Sequence, residues 1–224
     1  MSQKVPSPQF ANIVILGAVW GFAEAGLGIG LQRCASQASG SIMTGVALLF
    51  LAAAWVLTRR ALGIVLLVGL VTLLKLFDAS LLSLPIRHGA VANPIFAFWM
   101  EALVFLLVIA VIGESLARKR YGRAVLGAGA ALLSVSLFPL VKFATGIPAC
   151  VAAGTGIPLS LYYAPIAVGL SIVLVPAGFR LGERIAAGEN SHEALIRGKA
   201  FRYGLSPVAL AVSLLLIAVV RLAG

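Results

Sequence analysis

Charge is scarce in this sequence. Of 224 residues, 11% are charged and only seven are acidic. A water-soluble domain carries about 25% charged residues, so a soluble enzyme or binding module is excluded. Histidine is nearly absent. His88 and His192 are the only two, and both fall between apolar runs rather than inside them. A haem held by two histidines within a helix bundle is thereby excluded. Also missing are Cys-x-x-Cys, HExxH, a glycine-rich phosphate loop with its lysine, and a serine elbow with a histidine partner. The last apolar run lacks lysine, which argues against a retinal Schiff base. No enzyme activity and no cofactor are expected.

What is present is apolar. Hydrophobic residues make up 61% of the chain. They gather in seven runs, at about 10–31, 41–58, 61–84, 93–115, 124–145, 160–180 and 204–222. Runs of about 18 residues or more span a hydrocarbon core of roughly 30 Å. The expected fold is all-α: a polytopic transmembrane bundle of about seven helices, or six with one peripheral. Residues 1–224 form a single transmembrane domain. The first run is too long for a signal-peptide core and ends without a small-residue cleavage pattern, so it is expected to stay as the first helix.

The formal charge of +10 sits at helix ends, which fits topology rather than nucleic-acid binding. Connections 32–40, 85–92 and 146–159 contain only Arg33 and Arg87 as basic residues. The alternate ends hold Lys4, Arg59, Arg60, Arg118, Lys119, Arg120, Arg123, Arg180, Arg184, Arg197, Lys199 and Arg202. The positive-inside bias predicts a cytoplasmic N-terminus and an external C-terminus in a cell (inner) membrane. The longest inner connection, 183–203, reads as a short amphipathic segment. Asn190 and Glu193 form a helix-start pair, and Glu193 and Arg197 stand four apart. With Leu195, Ile196 and Phe201 it would lie on the inner leaflet or dock a cytoplasmic partner subunit.

Five ionisable residues fall inside the spans: Glu24, Lys75, Asp78, Glu101 and Lys142. Counted from the outer helix ends, all lie in one layer about 10 Å thick. A lone charge at the bilayer centre costs about 2.5–3.5 kcal/mol on insertion scales. These five should therefore pair or line a wet cavity. Lys75 and Asp78 are three apart and share a helix face, and Lys142 is placed to meet Glu24 or Glu101. Three carboxylates against two ammoniums favour a cationic group or a proton, unless Glu101 is protonated. One reading is a structural ion-pair network; the other is an outward-facing solute or ion site. Glu24, Asp78 and Glu101 are also the oxygen set a hard divalent metal would take. Phe98 and Phe105 lie near the face of Glu101, as aromatic walls of a small-ligand pocket would.

The connection 146–159, GIPACVAAGTGIPL, is uncharged and apolar, and is expected to fold back as a lid. Cys34 and Cys150, the only cysteines, share the outer side, where an oxidising compartment would permit a disulfide. Gly17, Gly21 and Ala25 form a small-residue row for close helix packing. Gly26 with Gly30, and Gly127 with Gly129, Ala130 and Ala131, repeat the theme. Pro139, Pro165 and Pro176 should bend their helices.

The small-residue row, the outer-half charges and the GIP loop together resemble, in size and layout, the substrate-binding membrane subunits of energy-coupling-factor transporters. That resemblance spans the whole chain. It implies a bundle, usually of six helices, with an outward site capped by a loop and no ATPase of its own. It carries over no residue roles. The leading expectation is a transport component that binds a small cationic solute or an ion. The alternatives are a non-catalytic subunit of a larger membrane complex, and a small oligomeric channel or exporter.

Overall fold

The computed structural model describes residues 8–32, 37–117, 119–147, 150–151, 154–189 and 192–223. Nearly all are helical. The helices are α1 (Pro8–Gln32), α2 (Gln37–Thr58), α3 (Ala61–Leu81), α4 (Gly89–Ile112), α5 (Glu114–Ala117), α6 (Arg120–Leu137), α7 (Val141–Thr145), α8 (Leu159–Glu189) and α9 (His192–Ala223). A 3-10 turn, Phe138–Leu140, joins α6 to α7. Seven stretches are long and apolar enough to cross a membrane: α1 to α4, α6 with α7, α8 and α9. Large apolar side chains stand exposed along them, among them Leu73, Leu103, Val111, Val173 and Leu222. A soluble monomer does not leave so broad an apolar surface in water. The chain is an all-α, multi-pass integral membrane protein.

Local chemistry sets the helix ends. Arg59 takes φ 51°, which reverses the chain tightly between α2 and α3. The His88 imidazole caps α4 by accepting the Ala90 N–H at 3.2 Å. Helix α4 thus begins four residues earlier than the apolar run suggests, and Pro94 lies inside it. Gly113, at φ 78°, closes its other end. Pro139 breaks the fifth span into the 3-10 turn, whereas α8 continues through Pro165 and Pro176. The described residues of 183–203 belong to α8, which runs to Glu189, and to α9, which begins at His192. Asn190 lies outside the described residues.

Six helices close a ring in the order α1, α2, α8, α6, α4, α3, and α9 packs outside it on α1 and α3. The share of buried residues falls from 67% in the second span to 11% in the last, so α2 is central and α9 peripheral. Small residues permit the tightest approaches. Gly182 lies so close to α2 that a Cβ there would meet the Ala53 carbonyl oxygen at 2.7 Å. A Cβ on Gly178 would collide with the Leu49 carbonyl, and one on Gly127 with the Ser171 carbonyl of α8. Gly17 and Gly21 receive Leu70 and Leu74 of α3, and Ala25 is buried beside Leu74 and Ile217. Helix α9 is tied on by the Ser213 hydroxyl, which donates to the Ala18 carbonyl at 2.8 Å.

The two ends of the bundle differ. One carries exposed Arg59, Arg60, Arg120, Arg180 and Arg184. There Arg123 pairs with Glu183 and lies over the Phe179 ring at 4.8 Å, stapling α6 to α8. The opposite end is low in charge, with exposed Arg87 and Lys142.

Candidate functional site: an acceptor-lined pocket in the bundle

The polar interior lies toward the low-charge end and has two parts. The first is an ion-pair triad. Lys75 Nζ lies 3.3 Å from Asp78 Oδ2 within α3. Arg221 of α9 grips the same carboxylate with two bonds: Nε donates to Oδ1, and Nη2 donates to Oδ2 at 2.9 Å. The side chains of Lys75, Asp78 and Arg221 are 7%, 4% and 5% exposed, so lipid and water are both kept out. Bidentate arginine–carboxylate geometry is the strongest kind of charged hydrogen bonding. The triad clamps the peripheral helix to the ring.

The second part is a pocket of about 150 Å³ between α1, α2, α4, α6 and α8. The helices contribute Glu24 from α1, Thr44 from α2, Asn93 from the low-charge end of α4 and Glu101 from its middle, Ser134 from α6 and Tyr163 from α8. Glu24 and Glu101 are 4% and 5% exposed. Glu101 shares a side-chain hydrogen bond with Thr44. Glu24 lies within electrostatic reach of Glu101 and of the triad. Three buried oxygens of this lining have no hydrogen-bond partner among the described residues: Glu24 Oε1, Asn93 Oδ1 and Ser134 Oγ. The remaining wall is apolar, with Met43, Met100, Val135, Phe98 and Phe138.

The pocket ends on an aromatic floor. Phe98 meets Trp20 edge to face at 5.5 Å, and Trp20 stacks on Phe50 at 5.9 Å. Beyond it, fully buried Phe105, Leu48, Leu51, Leu67 and Val71 fill the bundle toward the basic end. A wider groove of about 570 Å³ lies outside, between Ile86, Arg87, Phe96, Trp99 and Thr145. Arg87 is its only charge.

The residues singled out in the sequence divide accordingly. Glu24, Glu101 and Phe98 line the pocket, while Lys75 and Asp78 belong to the adjoining triad. Lys142 does not join either. It follows the 3-10 turn at Pro139, which resets the helix phase, and its side chain is exposed. Arg221, not Lys142, is the second interior cation, and it pairs with Asp78 rather than with Glu24 or Glu101, so the interior holds three carboxylates and two cations among the described residues. The carboxylates that could hold a divalent metal do not converge. Both oxygens of Asp78 are held by cations, and no group of three His, Cys, Asp or Glu converges among the described residues. The described part of 146–159 does not line the pocket. Leu159 N–H bonds the Cys150 carbonyl at 2.8 Å, while Val151 and Ile157 are exposed. Cys150 is exposed and bonds no cysteine among the described residues, and Cys34, its expected partner, lies outside them.

Sequence reasoning passed over Thr44, Asn93, Ser134 and Tyr163, whose only signal was a polar atom inside an apolar run. Comparison of the chain with family models, curated proteins and solved structures finds no match.

Proposed function

We propose that this membrane protein binds a small cationic solute or ion in the pocket between Glu24 and Glu101, as a component of a transport system. The observation that carries this reading is the distribution of charge. Asp78 engages both interior cations, Lys75 and Arg221. That leaves the pocket with two buried carboxyls and no cation of its own among its lining residues. With both ionised, the triad's net positive charge offsets one of them, and the other calls for a cation from outside. A cavity of about 150 Å³ admits a guest about the size of benzene.

The basic end faces the cytoplasm on the positive-inside rule, so the pocket opens toward the outer face of a cell membrane. The aromatic floor and the apolar packing below it oppose a continuous polar path within one chain. That favours a binding component that works with partner subunits over a self-contained channel.

The test is thermal unfolding of the purified chain against ammonium, Na⁺, Mg²⁺, guanidinium and small organic amines. At least one cation should raise the melting temperature saturably, and Glu101→Gln should remove that rise. No stabilisation by any cation would refute the reading.

A further inference from the structure

We infer that the guest is a primary ammonium bearing a small apolar group, recognised by three oxygen acceptors that find no partner among the described residues. The inference rests on the cationic-site reading above and sharpens it. Buried polar atoms in proteins are almost always hydrogen-bonded, and each one left unpaired is destabilising. One pocket concentrates three of them. Glu24 Oε1, Asn93 Oδ1 and Ser134 Oγ come from three different helices, α1, α4 and α6. Glu24 and Ser134 are each 4% exposed, so bulk water does not serve them.

The chemistry of these atoms selects the guest. A carboxylate oxygen and an amide oxygen only accept hydrogen bonds, and a hydroxyl accepts as readily as it donates. A primary ammonium has three N–H donors and no acceptor. It matches the set in number and in sign, and the carboxylate supplies the charge. A quaternary ammonium has the charge but no donor, so the three oxygens would stay unpaired. A bare metal ion needs several oxygens at about 2.0–2.6 Å and leaves no room for apolar walls. Here Met43, Met100, Phe98, Val135 and Phe138 form much of the lining, which suits carbon attached to the nitrogen. Methionine adapts to irregular apolar shapes, so the alkyl group is held less specifically than the ammonium head. Glu101, already bonded to Thr44, adds negative potential beside Glu24.

Isobutylammonium and tetramethylammonium test this directly, because they share charge and heavy-atom count and differ in N–H donors. Binding is read from the saturable rise in melting temperature of the full chain in detergent or nanodiscs, with NaCl and isobutanol as further probes. Isobutylammonium should bind at least about tenfold more tightly than tetramethylammonium, Na⁺ or isobutanol, the factor expected of hydrogen bonds to charged groups. Ser134→Ala should weaken isobutylammonium by about tenfold and leave tetramethylammonium unchanged, with the ligand-free melting temperature preserved. Glu24→Gln serves as the second variant and should weaken it further. Equal or tighter binding of tetramethylammonium or Na⁺ would overturn this inference while leaving a cation site in place. Absence of binding by every cation would overturn both.

Discussion

Asp78 is the residue on which the interior turns. Its carboxylate holds Lys75 from its own helix and Arg221 from the last one, all three buried. Removing one partner of a buried pair leaves an uncompensated charge and costs about 3–5 kcal/mol. Asp78→Asn strands two cations, so it should lower unfolding stability by at least that range, measured by denaturant or thermal titration. Lys75→Met should cost much less, because Arg221 still satisfies Asp78. By contrast, Arg123 and Glu183 form an ion pair in which the glutamate is 45% exposed. Solvent screens such a pair, and Glu183→Gln should change stability by less than about 1 kcal/mol. Burial, not the presence of an ion pair, decides the difference. Some of this was legible in the sequence. A charge inside an apolar run is conspicuous, and Glu24, Lys75, Asp78 and Glu101 all proved buried. Arg221 was not legible, because a basic residue near a helix end has an ordinary topological explanation. Depth could be counted along the chain, but the side on which Lys142 emerges depends on a 3-10 turn that a uniform 3.6-residue period cannot follow.

Among the helices, α8 shows how small residues set distance. Gly178 and Gly182, one turn apart, bring it against Leu49, Ala52, Ala53 and Val56 of α2. Gly182→Val should disrupt this contact at a cost of about 1–3 kcal/mol, the usual penalty for overpacking, seen as a lower yield of folded protein and a lower melting temperature. Gly26→Ala in α1 should be neutral or mildly stabilising, since none of the described residues lies within 4 Å of a Cβ built there. Both glycines stand in small-residue rows, and the sequence alone does not say which row faces a neighbour. The spans themselves were plain, because seven apolar runs separated by charges leave little choice of fold. Their ends were less so. His88 extends α4 by capping it through its ring nitrogen, and the polar stretch before the last span continues into α9 as helix. Uncharged polar residues such as Thr44, Asn93 and Ser134 carry no positional signal, since hydroxyls and amides inside apolar helices commonly bond their own backbone.

At the scale of the whole molecule, the bundle is divided along its axis. The basic end is packed with apolar and aromatic side chains, and the low-charge end holds the pocket and the triad. In the proposed orientation, read from the positive-inside rule, the pocket end is external, which labelling checks. After a membrane-impermeant reductant has opened any disulfide to Cys34, membrane-impermeant maleimide applied to intact cells should modify Cys150, which is exposed. A cysteine placed at Arg60, in a chain lacking the native thiols, should react only after permeabilisation. The reverse pattern would invert the protein in the membrane. The pocket can also be watched from within, since Trp20 packs against Phe98 of its lining. The most direct test of the account is therefore a fluorescence titration with small cations, comparing the wild-type chain with Trp20→Phe and with Glu24→Gln/Glu101→Gln. The account predicts a saturable change in the wild-type chain that is lost in both variants. A change that persists when both carboxyls are gone, or no change with any cation, would contradict it.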